Sequence, residues 1–222
     1  MAWLCLNFVL YNLNSSIMRV AIVFNHPYEG SYCNAVLQAV TIGLQKAGHE
    51  VDLMHLDRDN FDPVMRSKDL SAFARAKNDG EAIYKDIDPQ VLNYKQRLEQ
   101  AEHLVFIFPV WWELMPAMTK GFIDKVVFPG ITYDYAKSGL KMINRLTKLK
   151  GTTIITTQNT PALVYRLFFG NAIKYAMLRG TFWKIGLPKR KWISLCMVKF
   201  VSDKKRRKWL INIENRFSGL QG

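Results

Sequence analysis

His103-Leu104-Val105-Phe106-Ile107-Phe108 runs without a break into Pro109-Val110-Trp111-Trp112-Glu113-Leu114-Met115-Pro116. The apolar run has the length and composition of a strand buried on both faces of a parallel sheet, and a strand is predicted over Leu104–Phe108. An amphipathic segment, Ala117 to Val127, comes next. Pro116 stands near its first turn, where a missing amide proton costs little. The order is strand, aromatic loop, helix. Two adjacent tryptophans in a proline-bounded loop have two readings: packing over the core, or a wall for a flat aromatic ligand.

Working outward, the same alternation repeats. Upstream, Arg19–Asn25 is a short apolar run rich in β-branched residues, followed by a loop, His26–Asn34. Ala35, Val36, Ala39, Val40, Ile42 and Leu44 then give a helical period that Gly48 closes. Val51–Leu56 is a second strand, so the start of the chain is a right-handed strand–helix–strand crossover. Residues 57–88 are polar and read as an irregular surface excursion with a Phe61-Asp62-Pro63 turn. Asp88-Pro89-Gln90 opens a helix running to Ala101, with Asp as N-cap and Pro in the first turn. Downstream, Phe128-Pro129-Gly130 signals a turn. Thr152–Thr157 is a fourth strand, residues 162–179 a helix, Trp192–Val198 a fifth strand, and Asp203–Phe217 a final helix capped by Ser202 or Asp203. Five strands alternating with helices make an α/β doubly wound five-stranded parallel sheet, for which the flavodoxin-like order 2-1-3-4-5 is expected.

The 222 residues suit one domain, expected over residues 18–222, and 49% hydrophobic content argues against disorder. Residues 1–17 carry no charge, lack signal-peptide features, and are too interrupted by Asn and Ser to span a membrane. Met18 directly precedes the first strand, so residues 1–17 read as a non-essential extension. Three scattered cysteines, Cys5, Cys33 and Cys196, form no disulfide framework and fit a reducing cytoplasm. Four scattered histidines give no metal-binding spacing. Residues 137–222 carry 19 Lys+Arg against two Asp+Glu, while residues 1–136 carry 12 against 16. Such asymmetry points to a face that meets anions or to a solvated basic surface. The run Lys204-Lys205-Arg206-Arg207-Lys208 is a candidate for peripheral contact with an acidic membrane, although on a helix it spreads around the circumference. No nucleic-acid-binding motif is present, and no nucleic-acid partner is expected.

In a 2-1-3-4-5 sheet the first and third strands are neighbours and the chain reverses direction between them. Ligands bind outside their carboxyl ends. The loops that meet there are His26–Asn34 and Phe108–Pro116. The first opens a helix whose unpaired amides and partial positive charge suit a phosphate, with Ser31 and His26 as added donors. A plain Ser N-cap accounts for Ser31 equally well. The second loop supplies a flat apolar surface, and the pair together suits a flavin head and ring.

His26-Pro27-x3-Ser31-Tyr32 with Phe108-Pro109-Val110-Trp111-Trp112-x3-Pro116-Ala117-x2-Lys120-Gly121-Phe122-x-Asp124 resembles the flavodoxin-like NAD(P)H:quinone oxidoreductases, which include the mammalian quinone reductases and bacterial relatives. The resemblance runs from about Met18 to about Phe200 and is most specific from Phe108 through Tyr135. It implies a flavoprotein enzyme that passes hydride from NAD(P)H to N5 of FMN or FAD, then two electrons to a quinone-like acceptor in ping-pong order. It implies that His26, Ser31, Tyr32 and Cys33 hold the phosphate end. Pro109, Val110, Trp111 and Trp112 would line the ring, partly through backbone amides at its N5 and O4 edge. Thr157, Gln158 and Asn159 would lie near its N1 and O2 edge.

The chain departs from that pattern at three places. Many members carry Gly-Gly where this chain has Gln158-Asn159, and Cys33 stands where Asn is common. The mammalian enzymes place a Tyr and a His beyond the third loop. Here Tyr165, one position off a gap-free match, is the candidate catalytic residue, and no His accompanies it. The resemblance also implies a homodimer that completes the pocket, with Phe168, Phe169 and Trp183 as interface candidates. The alternatives are a flavodoxin-like electron carrier and a regulatory module of a membrane protein.

Overall fold

A computed structural model describes residues 16–221. Most of the expected extension, residues 1–17, therefore lies outside the described residues. The strands are β1 (Arg19–Phe24), β2 (Glu50–His55), β3 (His103–Pro109), β4 (Tyr133–Tyr135), β5 (Met142–Asn144), β6 (Gly151–Thr157) and β7 (Arg190–Leu195). The α-helices are α1 (Tyr32–Lys46), α2 (Ser67–Asp79), α3 (Pro89–Gln100), α4 (Ala117–Val126), α5 (Ala162–Leu167) and α6 (Asp203–Ser218). The main sheet has the order β2-β1-β3-β6-β7, and all its pairs are parallel. This is the expected five-strand pattern. Its fourth and fifth members are β6 and β7 because β4 and β5 form a separate antiparallel hairpin.

Alternate strand residues face two apolar layers. On one face, Val20, Ile22, Phe24, Val105 and Ile107 pack with α1 and α6 through Val36, Val40, Leu44, Ile213 and Phe217. On the other, Val23, Leu104, Phe106 and Ile154 pack against Tyr94, Leu98, Phe122 and Phe182. Every residue of β3 is buried, because it is central and covered on both sides. That is the physical cause of its uninterrupted apolar sequence. The expected caps are present: Asp88 accepts from the Gln90 amide at 2.9 Å, and Ser202 from the Lys205 amide at 3.3 Å.

Two expectations change. Residues 57–88 are not irregular throughout, since they contain α2 and a 3₁₀ helix, Gly80–Asp86. The Asp69 carboxylate accepts the Arg66 amide at 2.8 Å and fixes the start of α2. The single helix expected over residues 162–179 is two pieces. α5 stops before Gly170 and Asn171, both at positive φ, and a π-helix runs from Lys174 to Trp183. Gly180 allows the wider turn, because a Cβ there would lie 2.8 Å from the Tyr175 carbonyl oxygen.

Candidate functional site

The carboxyl ends of β1 and β3 lie side by side, with Phe24 paired to Ile107. The loops that follow them touch. The His26 ring meets the Trp111 ring edge-on, with centroids 6.1 Å apart and planes at 70°. The first loop folds on itself before entering α1. The His26 Nδ1 accepts the Tyr28 amide at 3.1 Å, and the Ser31 amide donates to the Tyr28 carbonyl at 3.1 Å. Burial lowers the His26 pKa, partly offset by Asp57, so the ring is neutral at pH 7. The Ser31 Oγ accepts the Asn34 amide at 3.2 Å, which makes it an N-cap. α1 is 15 residues long and has no acidic residue in its first turn, so its amino end keeps its positive character.

Tyr32 and Cys33 lead elsewhere than expected. The Tyr32 hydroxyl donates to the Arg206 carbonyl at 2.7 Å, tying α1 to α6, and burial raises its pKa to about 12. Cys33 is buried against the Thr157 hydroxyl, with Sγ and Oγ1 3.0 Å apart, and burial pushes the thiol up to about 12. Their side chains strut the helix to its neighbours. Their backbone amides, in the first turn of α1, are the part of them suited to a phosphate.

The second loop is a tight two-residue turn. Trp111 and Leu114 exchange backbone hydrogen bonds of 2.9 and 3.1 Å, and Trp112 and Glu113 between them have φ of 48° and 63°. This pattern normally selects Asn-Gly, because left-handed backbone costs other residues about 1–2 kcal/mol each. The strain is held from outside. The Tyr165 hydroxyl donates to the Glu113 carbonyl at 2.8 Å, and the Thr160 hydroxyl donates to Glu113 Oε1 at 2.9 Å. The turn thrusts Trp112 fully into solvent at 99% exposure, while Trp111 is 45% exposed beside His26. Neither ring caps the core.

Tyr165, expected as catalytic, is 1% exposed, and its hydroxyl also accepts the Ile173 amide at 3.1 Å. Burial raises its pKa further above the ordinary tyrosine value. Through these two bonds it clamps the tryptophan turn to the start of the π-helix.

The third loop is tied to β7 and the segment after it. The Gln158 amide donates to the Leu195 carbonyl at 2.9 Å, and Asn159 Oδ1 accepts the Lys199 amide at 3.0 Å. The Val110 amide, expected at the ring edge, donates to the Thr157 carbonyl at 2.8 Å. With Val110, Trp111 and Gln158 so engaged, the amides of Trp112 and Asn159 have no backbone carbonyl partner among the described residues. Pro109, the last residue of β3, is buried beneath them. Gln158 is 4% exposed, and its Oε1, like Glu113 Oε2, is buried without a partner among the described residues.

Sequence reasoning missed the polar tie beneath these loops. Asn25, buried at the end of β1, donates to Asp57 at 2.9 Å and accepts from the Thr119 hydroxyl at 2.9 Å. A polar residue ending an apolar strand was the available signal. A cleft of about 520 Å³ opens on the β2 side of the first loop, bordered by Pro27, Phe61 and Met118. Glu29, Asp57 and Arg58 also line it, with Arg58 paired to Glu29 at 2.7 Å.

The sheet order and loops define the class: the chain belongs to the family with the flavodoxin-like fold, which matches residues 18–214. Over 130 residues the chain is 29% identical to NAD(P)H dehydrogenase (quinone) 1 of Cavia porcellus, covering 55% of this chain and 47% of that protein. The chain spans about half the length of the curated relatives it matches. The NAD(P)H:quinone oxidoreductase from Methanothermobacter marburgensis is similar with a TM-score of 0.81 at 24% identity, covering 93% of this chain and 100% of that one. An FMN-dependent NADH-azoreductase from Bacillus anthracis, solved in complex with FMN, has a TM-score of 0.75 at 14% identity, covering 93% and 100%. At these identities the two structures speak to the fold.

Proposed function

We propose that the chain is a flavin-dependent NAD(P)H oxidoreductase that holds FMN at the switch point between β1 and β3 and reduces a quinone-like acceptor. The observation that carries this reading is the strained Trp112–Glu113 turn, clamped by Tyr165 and set beside the loop that opens α1. Strain of this kind persists only where the surroundings over-determine it, and it clusters at ligand sites. The named activities of the similar proteins support the same reading.

A bound flavin would supply two-electron redox chemistry between NAD(P)H and the acceptor, with a ping-pong order expected. The chain's own work is orientation and electrostatics. The first amides of α1, with Ser31 and His26, bind the phosphate. Trp111 walls the ring. The amides of Trp112 and Asn159 would serve as its polar-edge donors. Donors fixed in advance at that edge would stabilise the negative charge of the reduced ring.

A homodimer is part of the proposal. Leu163, Leu167, Phe168, Phe169 and Trp183 are all exposed on α5 and the segment that follows it, and exposed apolar side chains of this kind suit association. The exposed Lys204, Lys205, Arg207 and Lys208 on α6 are proposed to contact acidic membrane surfaces peripherally, and 1 M salt should release that contact. Among the described residues, no helix is long and apolar enough to cross a membrane. Cys33 and Cys196 are free thiols, which suits the proposed reducing cytoplasm. The test is FMN titration followed by flavin fluorescence. Saturable quenching in the parent chain that weakens in Ser31→Ala supports the site, and equal affinity in both removes it.

A further inference from the structure

A second cavity lies at the opposite end of the sheet. It has a volume of about 300 Å³ and is bordered by the starts of β3, β6 and β7 and by the end of α6. Seven-residue strands separate it from the switch point by roughly 20 Å, so no role at the proposed flavin ring reaches it. Lys189, Lys191 and Arg216 line it, and among the described residues none of the three pairs with a carboxylate. Lys150, also on the rim, is neutralised by Glu102 at 2.9 Å. Among the described residues no acidic side chain lines the cavity.

The floor is built from a buried ring. His103 is 7% exposed, and its Nε2 lies 3.0 Å from the Thr153 hydroxyl. Its cross-strand partner Gly151 leaves room for it, because a Cβ there would lie 2.7 Å from Nδ1. Burial, then Lys191, His49 and Lys189, lower the His103 pKa to about 4, so the ring is neutral at pH 7 and feels the surrounding positive field. His49 lies behind it, accepting the Met18 amide at 3.2 Å with Nδ1 and meeting the Leu220 carbonyl at 3.0 Å with Nε2. The α6 carboxyl end brings roughly half a negative charge. That offsets only part of one of the three cations, so among the described residues the cavity stays positive. Phe217, Leu220 and Met18 add an apolar side.

We propose that this cavity binds a small phosphate monoester, with the phosphate held by Lys189, Lys191 and Arg216 and the organic part laid on Phe217, Leu220 and Met18. Three cations with no carboxylate partner among the described residues match a divalent oxyanion, and the volume exceeds what a bare phosphate fills. The site is independent of the switch point, so its ligand is not the proposed flavin.

The test uses the full chain, with the His103 ring signals followed by NMR as AMP or inorganic phosphate is added. AMP should shift them saturably and more tightly than inorganic phosphate, with affinity falling as salt rises. The exposed pair Lys191→Gln with Arg216→Gln should weaken AMP roughly tenfold or more, while Lys191→Arg retains binding. Equal affinity for the two probes would reduce the site to one for free phosphate and overturn the apolar subsite. Unmoved His103 signals, or unchanged affinity in the double variant, would overturn the site altogether. A melting curve matching the parent shows that loss of binding in the double variant is not loss of fold.

Discussion

Tyr165→Phe removes one oxygen atom and tests the link between the core and the tryptophan turn. The ring keeps its place against Trp192, with centroids 6.1 Å apart. What goes is the bond to the Glu113 carbonyl and the bond from the Ile173 amide, at 2.8 and 3.1 Å. Each is worth about 1 kcal/mol net, and a buried donor left without a partner costs roughly 1–3 kcal/mol. Ile173 is fully buried, so its amide finds no water. Counting the lost Glu113 bond at about 1 kcal/mol and the orphaned Ile173 amide at roughly 1–3 kcal/mol, the sum is roughly 2–4 kcal/mol. At about 2–4 °C per kcal/mol for a domain of this size, Tm should fall by roughly 5–15 °C. Without the clamp, the left-handed Trp112–Glu113 backbone has about 1–2 kcal/mol per residue to gain by relaxing. FMN affinity should therefore fall roughly tenfold, restored in part by low temperature. Thermal unfolding followed by circular dichroism, with FMN titration of the same samples, reads both quantities. An unchanged Tm with unchanged FMN affinity would refute the clamp. Parent stability with turnover lost and its pH profile altered would make Tyr165 a proton donor instead.

Trp112→Asn should leave the fold intact or stabilise it by up to about 1 kcal/mol, because Asn tolerates the left-handed backbone and the exposed ring packs on nothing. Acceptor turnover should fall in the same variant, and destabilisation on melting would contradict the geometry. Ser31→Ala should cost about 1 kcal/mol as a lost N-cap, and FMN should bind roughly tenfold more weakly, read by melting and by fluorescence titration. For His103, the ordinary pKa of 6.5 applies to the unfolded chain and about 4 to the folded one. Between those values the unfolded state holds the extra proton, so the contribution is complete above pH 6.5 and declines by roughly 3 kcal/mol toward pH 4. His103→Gln should lack that part of the acid slope in Tm against pH.

Much of the architecture was legible because burial on both faces leaves a plain signature. β3 reads as a strand from composition alone, and Asp88-Pro89 and Ser202 announce their helices by cap chemistry. The meeting of the His26 and Trp111 loops followed from topology, and the rings do touch. α2 was not legible, since it buries only Asp69, Ala72 and Ala76 and leaves Leu70 and Phe73 largely exposed. The break after α5 turns on Gly170 and Asn171 at positive φ, which a helical period passes over. Within the site, residue types were readable but commitments were not. Nothing in the sequence says that the Val110 amide is spent on Thr157, that Tyr32 bonds Arg206, or that Tyr165 props Glu113. Those follow from how neighbouring elements pack, and they leave the Trp112 and Asn159 amides without a backbone carbonyl partner among the described residues.

The most direct measurement is the visible spectrum of the purified chain after FMN is added and excess removed, followed by anaerobic addition of NADH or NADPH. A retained flavin band that bleaches with pyridine nucleotide and returns when a quinone is admitted is the predicted result. A chain that retains neither FMN nor FAD, or a retained band that pyridine nucleotide leaves unchanged, would contradict the proposed oxidoreductase.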